Sequence, residues 1–116
     1  MKGLNFIHLR EKGADGRALT HGGVTIAYAE ITDETLAISI AMCNEKDNFC
    51  RRIGRSISSG RLAKGIWTKT IPLDPGHDYT NQERYALVRD QFLRPVFSDH
   101  PLNAPERVNA VDVLSA

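Results

Sequence analysis

Arg51 and Arg55 stand one helical turn apart in the stretch KDNFCRRIGRSISSGRL, residues 46–62, with Arg52 beside them. A guanidinium is a rigid planar fork of N–H donors that grips a phosphate or carboxylate through two parallel hydrogen bonds. Two such forks at i and i+4 leave a helix on the same side, so they can share one anion. Ser58 and Ser59 place short hydroxyl donors nearby, and Arg61 extends the positive field. Arg51, Arg52, Arg55, Arg61, Lys64 and Lys69 are six cations between positions 51 and 69, and no acid lies between Asp47 and Asp74.

A plain solvated face is the competing reading, its arginines paired with Glu45, Glu83 or Asp90. Like charges at i and i+4 repel by only about 0.2–0.5 kcal/mol, which a wet surface tolerates. Two features favour a ligand. Gly54 costs a helix about 1 kcal/mol relative to alanine, which makes sense where a backbone or ligand must come close. Serines occupy positions where a merely solvated face would carry Glu, Lys or Gln. The expected ligand-binding set is therefore Arg51, Arg52, Arg55, Arg61, Ser58 and Ser59. Trp67 or Tyr79 would stack on a base, although a strand tryptophan more commonly packs in a core.

The other reactive residues form no comparable set. Asp74-Pro75-Gly76-His77-Asp78 reads as a Pro-Gly turn with His77 at its tip, and His21-Gly22-Gly23 as a hairpin turn without the lysine of a P-loop. There is no Gly-x-Ser-x-Gly, and Cys43 and Cys50 lack metal-ligand spacing. Reduced cysteines, no catalytic residue, no metal and no cofactor are expected.

The elements that must position the arginines are legible from periodicity. Phe6–Arg10 reads as a first strand. Val24–Ile31 and Leu36–Cys43 alternate large against small side chains, joined by Thr32–Thr35 at hairpin length. Their Ala/Ser face suits close cover by a helix or by a second copy of the sheet. In the arginine helix Phe49, Ile53 and Ile57 form the apolar stripe, so Arg51 and Arg55 should face water. Asn44 is the expected N-cap, with Asp47 at N3, and Gly60 the expected C′ residue. Ile66–Ile71 reads as another strand. Thr80-x-x-Glu83 opens a second helix that should stop before Pro95, and Pro105 a last short one carrying Val108, Val111 and Leu114. The sum is a single α+β domain over 1–116: a small antiparallel sheet of three or four strands, one basic helix between strands and two C-terminal helices.

Composition narrows the partners. A chain of 116 residues with net charge +1 is no bulk polycation, so any anion binding must come from local clustering. Without a signal segment or a membrane-length apolar run, a cytoplasmic protein is expected. The Ala/Ser face and the apolar C-terminal stretch point to a homo-oligomer.

The pattern Lys46-Asp47-x-Phe49-x-Arg51-x-x-Gly54-Arg55, followed by Gly60-Arg61-Leu62, resembles one found in small bacteriophage and prophage proteins. The resemblance covers residues 46–62. It implies action in the host cytoplasm against defence systems, as by sponges that grip cyclic-nucleotide phosphates with arginines. The function expected on these grounds is non-enzymatic binding of a phosphate-bearing small molecule, such as a nucleotide immune signal. A nucleic-acid-binding protein using the same basic helix, and a protein–protein inhibitor of a host target, are the alternatives.

Overall fold

The computed structural model describes residues 1–10, 14–17, 19–44 and 46–97, together with the backbone of 106–109. Its centre is an antiparallel meander of β1 (Lys2–Leu9), β2 (Val24–Thr32) and β3 (Thr35–Met42). Helix α1 (Arg51–Ala63) crosses from β3 to β4 (Lys69–Pro72), which pairs antiparallel with β3. A last strand, β5 (Glu106–Asn109), pairs with β1, so the sheet order is β4-β3-β2-β1-β5. Small α+β is the class observed. The register follows the alternation read in the sequence, with Ile26 opposite Ile40, Ala27 opposite Ser39 and Tyr28 opposite Ile38.

Strand period two gives the sheet two unlike faces. One carries Ile7, Val24, Ile26, Tyr28, Leu36, Ile38 and Ile71, all buried. It is covered by α2 (Asn81–Val88), a π-helical turn (Arg89–Leu93) and α3 (Arg94–Phe97), which bring down Val88, Phe92 and Leu93. The other face is built of Ala27, Ala29, Ala37, Ser39 and Thr25, and α1 lies directly on it with Leu62 packed against Phe6 and the alanines. A helix of this chain thus covers the small-residue face.

The sheet has five strands where three or four were expected, and several boundaries differ from the sequence reading: β1 starts at Lys2 and not Phe6, and β4 at Lys69 and not Ile66. Asn44 and residues 46–48 do not extend the helix and are tied down instead by Gly22 N–H donating to Asp47 O and Phe49 N–H to Thr20 O, so α1 begins only at Arg51, with Cys50 as its N-cap. At the other end Gly60 is interior, and Gly65, at φ +77°, follows the C-cap Lys64. The second helix does not stop before Pro95. Its ladder widens to an Arg94 N–H to Arg89 O bond, and a wider turn relieves the clash a proline ring makes with the carbonyl four residues back. Residues 106–109, expected in a helix, form β5. The unpaired edge of β1 offers a row of backbone partners that outweighs a weak helical pattern. Pro105, Val111 and Leu114 lie outside the described residues.

One end of the large-residue face holds a buried ion pair. Arg84 and Glu30 are 6% and 7% exposed, with Nε 3.5 Å from Oε2, and Arg84 also donates to Tyr79 O at 2.9 Å. The Arg84 guanidinium fills the space where a Cβ on Gly3 would sit, and Gly3 has φ +69°. Among the described residues no helix is long and apolar enough to cross a membrane.

Candidate functional site

The docking of α1 decides which side chains are free to act. Its inward line is Gly54, Ser58 and Leu62, spaced i, i+4, i+8. A Cβ on Gly54 would overlap Thr25 Oγ1 and come within 2.8 Å of Thr25 Cβ, so the glycine serves contact with the sheet and not with a ligand. Ser58 is fully buried and its hydroxyl donates to Gly54 O at 2.7 Å, which makes it a packing residue. Because the small side chains turn inward, the isoleucines turn out. Ile53 and Ile57 are 59% and 43% exposed, and the apolar stripe of the sequence is a solvent face in the single chain. Phe49 precedes the helix and packs edge-on against His8.

Arg51, Arg52 and Arg55 occupy the first two turns of α1 on the side away from Ile53 and Ile57. Arg51 and Arg52 are exposed and Arg55 is half-buried. Arg55 Nε is shielded from solvent and has no hydrogen-bond acceptor among the described residues. The helix start beside them carries no acid in its first turn, and the side chain of its N-cap, Cys50, makes no capping hydrogen bond. Such an end carries the positive pole of the helix dipole, directed at whatever lies beyond it. Arg10 stands close by, its guanidinium 4.9 Å from the centre of the Phe49 ring and bonded to Leu19 O. Local sequence reasoning missed Arg10, because a 39-residue separation from Phe49 is bridged only by the fold. The uncapped N-terminus was missed for another reason: Asn44 and Asp47 mimic a capping signal that the turn uses up. Asn44 Oδ1 accepts from Lys46 N–H instead of from the helix.

The remaining expected ligands are scattered. Ser59 donates to Arg55 O at 2.6 Å on the same side of α1, within reach of the arginines. Arg61 is turned to the other side, donating to Ile40 O at 2.7 Å. Trp67 donates its indole N–H to Leu62 O at 3.0 Å, at the far end of a helix about 18 Å long. Tyr79 packs with the large-residue face, where its hydroxyl accepts from Asp74 N–H. Neither aromatic joins Arg51 and Arg55 across one ligand. Cys43 and Cys50 carry free thiols.

Two clefts accompany these features, and no α1 arginine lines either. An open one of about 530 Å³ runs between Lys2, Glu30, Asp33 and His77. Around it Lys2 pairs with Asp78, which holds that carboxyl below its ordinary range, and His77 pairs with Glu83. A more enclosed one of about 300 Å³ lies between the α1 isoleucines, Phe49 and the end of β3. No known family, curated protein or solved structure matches the chain, so its function is argued from this geometry.

Proposed function

We propose that the chain is a non-enzymatic binding protein that holds a phosphate-bearing small molecule at the N-terminal end of α1. The observation that carries this reading is the half-buried Arg55, whose desolvated Nε lacks an acceptor, beside an uncapped helix start. Leaving that N–H unpaired is costly, which favours a guanidinium turned toward an acceptor, and a bound anion would supply one. The helix pole and the Arg51 and Arg52 side chains favour the same charge. Arg52 and Arg55 would grip phosphate oxygens, Ser59 would add a hydroxyl, and Arg10 would add field. A nucleotide immune signal, sequestered in a phage-infected cell, is the form of ligand to which the 46–62 resemblance points. Trp67 and Tyr79 have no part in this site, so base recognition would have to come from other groups.

Titration of pyrophosphate and a panel of linear and cyclic nucleotides, followed calorimetrically, tests the proposal. Binding is expected in the native chain and lost in Arg52→Ala/Arg55→Ala, with unfolding changed by no more than about 0.5 kcal/mol because both positions lie off the core. Undiminished binding in that variant would overturn it. Binding only to DNA or RNA, with log affinity falling steeply against log salt as condensed counterions are released, would assign the helix to a nucleic acid backbone instead.

A further inference from the structure

The most regular apolar pattern in the chain ends up in water. Ile53 and Ile57 are exposed, and so are Met42 at 73%, Ile66 at 58% and Trp67 at 42%. These five are not scattered. Ile53, Ile57 and Met42 line the 300 Å³ cleft, while Ile66 and Trp67 lie along β3 where Ser39 Oγ donates to Ile66 O and Thr68 N–H to Ile38 O. All border the outer edge of β3. That edge is only half used: β4 pairs with Thr35–Ile38 and stops, and among the described residues no strand lies beside Ser39–Met42.

The outward backbone groups of this free stretch belong to the even positions. Ile38 O and Ile40 O both point away from β2, one accepting from Thr68 N–H and the other from Arg61, while Cys43 N–H turns inward to Gly23 O. By the same period Met42 faces out. An open strand edge flanked by exposed apolar side chains is a template for another strand.

We infer that the occupant is a second copy of this chain, added antiparallel along Ile40–Met42 about a two-fold axis at Ala41. This register is self-complementary. Ile40 meets Met42 of the other copy and Met42 meets its Ile40, each pair exchanging N–H and C=O. The axis stands normal to the sheet, so both α1 helices lie on the same face and their Ile53 and Ile57 sides turn toward each other.

Charge agrees with this choice. Among the described residues Asp47 is the one charged residue lining the cleft, at the Met42 end, and Arg61 sits at the Ile40 end. The two-fold turns each Asp47 toward the other copy's Arg61. The Ile40 carbonyl that Arg61 holds in the single chain passes to the incoming Met42 N–H, and the freed guanidinium meets the carboxylate. Arg61 thus guards the edge in the monomer and seals it in the dimer.

The surface is separate from the anion site, since Arg52 and Arg55 leave α1 on its other side. Light scattering and sedimentation of the full chain at micromolar concentrations should report a dimer. Amide exchange at Ile40 and Met42 should slow as concentration rises. Ile53→Glu/Ile57→Glu should return the chain to a monomer with fast exchange at both amides and the same circular dichroism. A monomer throughout the micromolar range would overturn the inference and leave the edge to a foreign strand. A dimer that survives the double glutamate substitution, or one without protection at Ile40 and Met42, would overturn it equally.

Discussion

The two faces of the sheet are covered by helices in opposite ways. On the large-residue face the cover is bulky, with Phe92, Val88 and Leu93 set among Ile7, Ile26, Tyr28 and Ile38. On the small-residue face α1 brings only Leu62 as a large buried side chain and approaches so closely that Gly54 has no room for a Cβ. One interface is held by volume, the other by proximity. The helix ends differ in the same sense. α2 starts with a complete capping box, Glu83 N–H donating to Thr80 Oγ1 at 3.1 Å and Thr80 N–H to Glu83 Oε1 at 2.9 Å. α1 starts with none. The structurally finished helix is the one that fills the core. The unfinished one carries the arginines.

That contrast can be broken at four points, in descending order of effect. Phe92→Ala empties the large-residue face and should cost about 3–5 kcal/mol in denaturant unfolding, the usual penalty for a truncated core aromatic. A loss below 1 kcal/mol would show that this face is not held by volume. Gly54→Ala should destabilise by about 1–3 kcal/mol through overpacking against Thr25, although alanine is the better helix former. Stabilisation instead would mean that α1 sits farther from the sheet.

Thr80→Ala removes the cap on α2 and should cost about 1 kcal/mol. The same box gives an acid signature. The Thr80 backbone N–H, then His77, hold the Glu83 carboxyl below its ordinary value of 4.5. A depressed folded value means stabilisation that is present above the unfolded value and lost as pH falls through the folded one. Glu83→Gln should accordingly flatten stability against pH below about 4.5, and an unchanged acid limb would contradict the assignment. Cys50→Asp is the smallest change and the most pointed. An extended N-cap at φ −128° and ψ 110° accommodates an aspartate, which should raise stability by about 0.5–1 kcal/mol while weakening pyrophosphate binding. A gain in stability with no loss of binding would separate the helix pole from the anion site.

The sheet was legible because its signal is local. Val24–Ile31 and Leu36–Cys43 alternate with period two, and the hairpin register follows from their short connection. Thr80 and Glu83 were legible for the same reason. The orientation of α1 was not. Two faces compete for burial, Ile53/Ile57 and Gly54/Ser58/Leu62, and hydrophobicity favours the first. The sheet favours the second, because a floor of alanine and serine accepts a helix only at close range, and only small residues permit that. The arginines therefore keep their exposure at Arg51 and Arg52, whereas Ser58 goes into the contact and Arg61 crosses to β3. Trp67 and Tyr79 were grouped with them by nearness in sequence, and chain direction after α1 carries both away.

Gly3 bears on how this sequence can drift. Its left-handed backbone disfavours a side chain, and the Arg84 guanidinium occupies the place that side chain would take. Arg84 in turn faces Glu30 in the interior, so losing either charge alone strands the other at a cost of about 3–5 kcal/mol. Positions on β1, β2 and α2 are thereby bound into one heritable unit. A descendant that abandons the arginine must also neutralise position 30, while the left-handed backbone at φ +69° still holds position 3 to glycine. Substitutions at positions 84 and 30 should appear in lineages together, while neighbouring surface positions vary independently.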